Sequence, residues 1–184
     1  DPALWKREPN IPDPHRLTIV DFGQNLVGRV KFRIKLADGM SITIRHGEML
    51  RADGSIFLEN LRSARAAVTL TGNGEWFDYE PLFTFFGFRY LQITNLPREF
   101  DPNSMQAAVI HSDLERTGYF SCSDNLVNRL YENQLWSNRG NYLDIPTDCP
   151  HREKNGWTGD AQLAAETGLF AFDSAKSYGE WLET

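Results

Sequence analysis

Thirteen consecutive residues, DCPHREKNGWTGD from Asp148 to Asp160, hold two aspartates, a glutamate, a cysteine, a histidine, an arginine and a tryptophan. Taken singly, each has a plain structural role. A loop acid is commonly just solvated, and Asp160 near a helix start is a stabilising charge at the positive end of the helix dipole. Arg152 beside Glu153 is a simple ion pair, and Trp157 a packing residue. As a set they suit carbohydrate. The carboxylates of Asp148, Glu153 and Asp160 can accept hydrogen bonds from sugar hydroxyls, and an indole face packs on sugar C–H groups. One acid kept protonated can assist departure of an oxygen leaving group. His151 has no second His or Cys at metal-ligand spacing, so no metal site is expected. Cys149 would be a nucleophile only beside a positioned base, and its neighbour Pro150 points instead to a backbone constraint.

These residues need a frame, and two kinds of pattern supply it. In GRVKFRIKL (28–36) the apolar Val30, Phe32, Ile34 and Leu36 alternate with Arg29, Lys31, Arg33 and Lys35, the period of a half-buried strand. The turn residues ADG lead into SITIRHGE, where alternation resumes through Ile42 and Ile44 and predicts a hairpin. Further strands are expected in AVTLTG, EWFDYE, GFRYLQITN and MQAAVIH, with no helical pattern between residues 16 and 112 longer than a turn or two. Short strands separated by turn signals predict an antiparallel β-sandwich. Alternation in FTFFGFRY, with Trp76 before it, assigns most of Trp76, Phe83, Phe85, Phe86, Phe88 and Tyr90 to the core.

Beyond residue 112 the period changes to that of helices, and no strand is expected after residue 125. Ser123 is a plausible N-cap for a helix carrying Leu126, Leu130, Tyr131, Gln134 and Leu135 on one side. A second helix is expected from Thr158 and Gly159, with Ala161, Ala164, Ala165, Gly168 and Leu169 as a tight small-residue face. Asp173 or Ser174 can cap a third. The 148–156 segment falls between the first two helices, on a loop, where binding residues are commonly held by a rigid frame. The expected organisation is an extended lead-in over residues 1–15, a β domain over 16–112, and helices over 113–184.

Composition narrows the function. At 184 residues with 41% hydrophobic and 12% aromatic content, the chain can build a substantial core. A formal net charge of -6 argues against a nucleic-acid partner, which needs a basic face. No apolar run of about 18 residues is present to span a membrane. The first fifteen residues hold four of the nine prolines and lack the charged and apolar regions of a signal peptide, which leaves the compartment open. The two cysteines, Cys122 and Cys149, do not suggest a disulfide framework. The missing initial Met, and a helical face of Tyr178, Trp181 and Leu182 with nothing after it, predict a piece of a longer protein.

IPTDCPHREKNGWTGDAQ resembles the signature of bacterial α-L-rhamnosidases, inverting glycoside hydrolases whose catalytic domain is an (α/α)6 barrel of the six-hairpin type. DFGQNLVGRVKFRI, IRHGEML, NLRSARAAVTLTGNG and YEPLFTFFGFRYLQIT are similar, in order, to the β-sandwich domain preceding that barrel. TGYFSCSDNLVNRLYENQLWSNRGNYLDIPTDCP is similar to the start of the barrel. The resemblance covers most of residues 17–184. It implies that Glu153 is the acid that protonates the glycosidic oxygen, that Asp148 and Asp160 hold rhamnose hydroxyls, that Arg152 lines the same pocket, and that Trp157 is an aromatic wall against the sugar. Many members have four residues, D-E-R-L, between the Arg and the Gly of the motif. This chain has three, EKN, as in a shorter variant with a single Glu.

The implied reaction removes terminal α-L-rhamnose with inversion, requires no cofactor, and uses a second carboxylate on the opposite sugar face. That base, by resemblance, lies far downstream in the barrel, so the rest of the catalytic domain is an expected partner of this chain. Two rivals stand beside this reading. One is a carbohydrate-binding module whose β-sandwich is the active part. The other is an inverting glycosidase of the same barrel type acting on a different sugar.

Overall fold

The computed structural model describes residues 17–183, so the lead-in expected over 1–15 lies outside the described residues. The chain divides into two compact units, one reaching Val109 and one beginning at Ile110.

The first unit is built from β1 (Leu17–Lys35), β2 (Ser41–Gly47), β3 (Ala67–Thr71), β4 (Trp76–Tyr79), β5 (Phe86–Thr94) and β6 (Gln106–Val109). Every pairing is antiparallel. The order runs β3-β2-β5-β1, and β1 continues onto β4 and β6 along its second half. A strand that changes partners along its length lets one hydrogen-bonded sheet curl over its own core. The alternation read in the sequence decides which face is inside. Val30, Phe32, Ile34 and Leu36 are buried while Lys31, Arg33 and Lys35 are exposed. Ile42 and Ile44 of β2 and Phe88, Leu91 and Ile93 of β5 complete the core with no exposed surface.

β1 begins eleven residues before the GRVKFRIKL pattern, at Leu17. Its ladder with β5 shifts register between Asp21 and Leu26, so the added residues interrupt alternation there. The irregular stretch is fastened: the Gly23 N–H donates to Asp21 Oδ1 at 2.7 Å, and Arg89 donates to both Asp21 oxygens at 2.8 and 2.9 Å. Of the aromatic run, Phe86 and Phe88 are buried around His46, and Phe85 and Tyr90 are half-buried. Trp76 and Phe83 depart from the core assignment and are exposed.

The second unit holds α1 (Asn125–Asn141), the two-residue strands β7 (Tyr142–Leu143) and β8 (Ile145–Pro146), α2 (Thr158–Ala171) and α3 (Ala175–Leu182). The N-cap of α1 is Asp124, not Ser123, because the Asp124 carboxylate accepts the N–H groups of Leu126 and Val127. Ser174 takes the N-cap position of α3 but makes no side-chain cap bond. β7 and β8 correct the expectation of no strand beyond residue 125. They pair around Asp144, whose positive φ of 74° turns the chain, and two residues are too short for a periodic signal.

Leu135, Tyr142, Ala171 and Phe172 form the core of this unit. The covered stripes are narrower than the apolar ones. On α1, Leu126 and Leu130 are exposed although they lie on the expected side. On α2, Ala161 and Gly168 are buried and Ala165 half-buried, while Ala164 and Leu169 correct the expected small-residue face by remaining exposed. Gly168 is needed for close approach, since a Cβ there would stand 1.7 Å from the Tyr142 hydroxyl oxygen. That hydroxyl pairs with Tyr178 at 3.1 Å.

The first residues of the unit are tied to the far end of α2. Thr117 and Gly118 donate their N–H groups to the Ala171 carbonyl, and Asp173 donates to the Glu115 carbonyl at 2.8 Å. A Cβ at Gly118 would meet the Phe170 carbonyl oxygen at 1.8 Å, so only glycine permits this contact. Among the described residues no helix is long and apolar enough to cross a membrane.

Candidate active site

β8 delivers the chain into the loop that carries the opening cluster, and that loop closes on itself. The Asp148 N–H donates to the Asn155 carbonyl at 2.9 Å, and the Lys154 N–H donates to the Cys149 carbonyl at 3.1 Å. Lys154 makes the reversal with a φ of 56°, a left-handed conformation unusual for a side chain of its size. Trp157 then sits at the N-cap of α2, so the loop is held between β8 and a helix start.

This closure brings four of the five sequence-predicted residues together. The Glu153 carboxylate lies between two donors. Arg152 reaches Oε1 through Nη2 at 2.9 Å and Nε at 3.2 Å, and the Trp157 indole N–H reaches Oε2 at 2.9 Å. Trp157 leaves 52% of its surface in solvent, so it is not a core packing residue. On the other side of the loop, Asp148 Oδ1 accepts the Asn155 N–H at 3.0 Å and Oδ2 accepts the Cys149 thiol at 3.1 Å. Asp160 is not drawn in. It stands exposed in the first turn of α2, and no hydrogen bond or ion pair joins it to the other four among the described residues.

The electrostatics follow from these contacts. The Trp157 indole, and then the Arg152 guanidinium, hold the Glu153 carboxyl below the usual glutamate range, against weaker opposition from partial burial and the Asp148 charge. For Asp148, burial is the largest influence and acts upward. The hydrogen bonds from Asn155 and Cys149, helped by backbone donors, together outweigh it and leave the carboxyl below the aspartate range. Both acids are therefore ionised at neutral pH in this arrangement. The loop can hold hydroxyl groups, and it can supply a proton only if Glu153 is freed from its donors and desolvated.

Among the described residues no group of three or more His, Cys, Asp and Glu side chains could hold a metal ion. Sequence reasoning passed over Cys149 as a contributor to the site. Its position beside Asp148 was visible, but its reach to residue 153 depends on the Lys154 reversal.

The family described as the bacterial alpha-L-rhamnosidase concanavalin-like domain matches residues 13–111, and the bacterial alpha-L-rhamnosidase 6 hairpin glycosidase domain matches residues 115–184. An alpha-L-rhamnosidase of Streptomyces avermitilis is 41% identical over 167 residues, which are 89% of this chain and 16% of that protein. The crystal structure of the Streptomyces avermitilis enzyme complexed with L-rhamnose superposes with a TM-score of 0.85 at 40% identity, covering 90% of this chain and 16% of that one. The crystal structure of an Aspergillus terreus rhamnosidase superposes with a TM-score of 0.84 at 46% identity, covering 90% and 20%. The chain thus spans less than a quarter of the length of these relatives.

Proposed function

The chain belongs to the bacterial α-L-rhamnosidase family, and from that premise we propose that it carries the proton-donor side of a glycoside hydrolase that removes terminal α-L-rhamnose from rhamnosides with inversion. The observation that carries this reading is the 148–157 loop. It gathers Asp148, Arg152, Glu153 and Trp157 within the unit matched by the glycosidase domain, with Glu153 at the centre of the hydrogen bonds.

In this reading Glu153 protonates the departing glycosidic oxygen. Asp148 and Asp160 accept sugar hydroxyls, Arg152 lines the pocket, and Trp157 presents its exposed face to the ring. A proton donor working near neutral pH needs a raised pKa, and the open arrangement holds Glu153 low. The rest of the catalytic domain is therefore a partner in the chemistry. It excludes water from the loop and supplies a base placed about 6.5–9.5 Å from the acid, on the opposite face of the sugar. Sugar hydroxyls entering the pocket compete for the indole and guanidinium donors, which releases the Glu153 oxygens from the contacts that keep them charged.

A panel of aryl glycosides offered to the full-length protein tests this. Release of aglycone from the α-L-rhamnoside, with the β-anomer of rhamnose as first product, is expected. Preference for a glucoside or glucuronide would assign the site to another sugar, and retention of configuration would remove the inverting mechanism. The 184-residue chain alone is expected to be inert on the same panel.

A further inference from the structure

We propose that Cys149 is a positioning residue of this site, its thiol bridging the Asp148 carboxylate and the Glu153 main chain and so setting the spacing between the sugar-holding acid and the proton donor. The proposal rests on the roles given to Asp148 and Glu153 above.

One sulfur serves both ends of the bridge. Cys149 Sγ donates to Asp148 Oδ2 at 3.1 Å and accepts the Glu153 N–H at 3.3 Å. Because Asp148 Oδ1 already accepts the Asn155 N–H, both oxygens of that carboxylate are engaged, and it cannot rotate without breaking one bond. The main chain of residue 149 adds a second tie, since its carbonyl accepts the Lys154 N–H. Residues 153 and 154 are thus both anchored on residue 149, and Pro150 restricts the backbone between the anchors. A thiol suits the task because sulfur both donates and accepts.

The competing roles for a cysteine are weaker here. Both cysteines are free, so no disulfide explains Cys149. A nucleophilic thiol needs a base to take its proton, and its hydrogen-bond acceptor is a carboxylate too acidic for that work. Cys122 makes the contrast: it is exposed, and its Sγ reaches a main-chain carbonyl, not a side-chain acid.

Three variants of the full-length protein separate the bridge from mere packing. Cys149→Ser keeps a donor and an acceptor, Cys149→Ala removes both, and Cys149→Val removes both while filling the space. Losing hydrogen bonds to a charged group and its neighbour is expected to lower kcat/KM on a rhamnoside by about tenfold or more in Ala and Val, with Ser close to the parent. The acid limb of the pH profile should move to higher pH in Ala and Val, because a carboxylate deprived of a donor binds its proton more readily. Amide exchange over 151–156 should quicken in Ala and Val and stay slow in Ser. Parental kinetics in Ala, or equal losses in Ser and Ala with unchanged thermal unfolding, would overturn the bridge. If the parent hydrolyses no rhamnoside, the proposed function fails while the exchange measurement still decides whether the thiol holds the loop.

Discussion

Ile34, Leu36, Ile42, Ile44, Phe88, Leu91 and Ile93 of the β unit leave no surface in solvent, whereas Leu126, Leu130, Leu163 and Leu182 of the helical unit leave between 66% and 80% of theirs. The two units solve the burial of apolar groups differently. A sheet that curls through one long strand supplies each inward side chain with neighbours from adjacent strands. A helix offers an apolar stripe that needs another helix, and the short core of Leu135, Tyr142, Ala171 and Phe172 covers only part of what α1 and α2 present. The chemically loaded loop lies in the unit whose surfaces are unfinished. The inward faces of the β strands are fully covered within their own unit, although Trp76 and Phe83 stand exposed outside them. Under the proposed function, the site depends on what covers the helical unit.

The strongest way to break this contrast is at the loop. In the full-length protein, Glu153→Gln is expected to lower turnover of rhamnosides with poor leaving groups by about 10²–10⁴-fold, and less for activated aryl rhamnosides that need little protonation. Steady-state kinetics on the two substrate classes measure this, and equal losses would remove Glu153 from the acid role. Undiminished turnover would move the chemistry elsewhere in the protein.

Next in size is the closed core. Phe88→Ala should cost about 3–5 kcal/mol in chemical denaturation followed on the β unit, because it empties a site with no exposed surface. The matching substitution on the open side, Leu130→Ala, should change the stability of the 184-residue chain by about 0.5 kcal/mol or less. The same change in the full-length protein should cost several times more. A large loss in the short chain would show that the helical unit already buries this face.

The smallest effect concerns acid. Asp148 has a folded-state pKa below its ordinary 3.8, so its contribution to holding the loop is present above that value and is lost as pH falls through it toward the lower folded value. Exchange of the 153–155 amides, corrected for intrinsic rates, should quicken below pH 3.8. Asp148→Asn should flatten that dependence, and protection unchanged in acid would show that the carboxylate does not hold the loop.

What was readable in the sequence follows the length of each pattern. Nine residues of strict alternation placed the second half of β1 and its inward face. The first half was hidden because the register shift between Asp21 and Leu26 interrupts the period, and a bulge fixed by Arg89 depends on a residue far along the chain. The first helix was legible but its cap slipped by one, since Ser123 and Asp124 both suit an N-cap and only the geometry shows which oxygen meets the Leu126 N–H. The two-residue strands fall below any periodic signal. At the site, residue types and spacing pointed to Asp148, Glu153, Trp157 and Asp160, and the family resemblance added Arg152; the folded loop gathers all of these except Asp160, which it leaves apart. The part played by Cys149 could not be read, because a thiol reaches residue 153 only after the chain reverses at Lys154.

The fastening of residues 115–118 to the end of α2 also sets an order of events during synthesis. The β unit has its last strand when Val109 leaves the ribosome, and it can close at once. The Thr117 and Gly118 N–H groups and the Glu115 carbonyl have their partners at Ala171 and Asp173, so these groups stay bonded to water until the whole of α2 has emerged. The α1 helix, the 148–157 loop and α2 are all made before that fastening can form. The 148–157 loop has no such wait, because its bonds from Asp148 to Asn155 and from Lys154 to Cys149 are local; what forms last is the tie between the start of the unit and the end of α2.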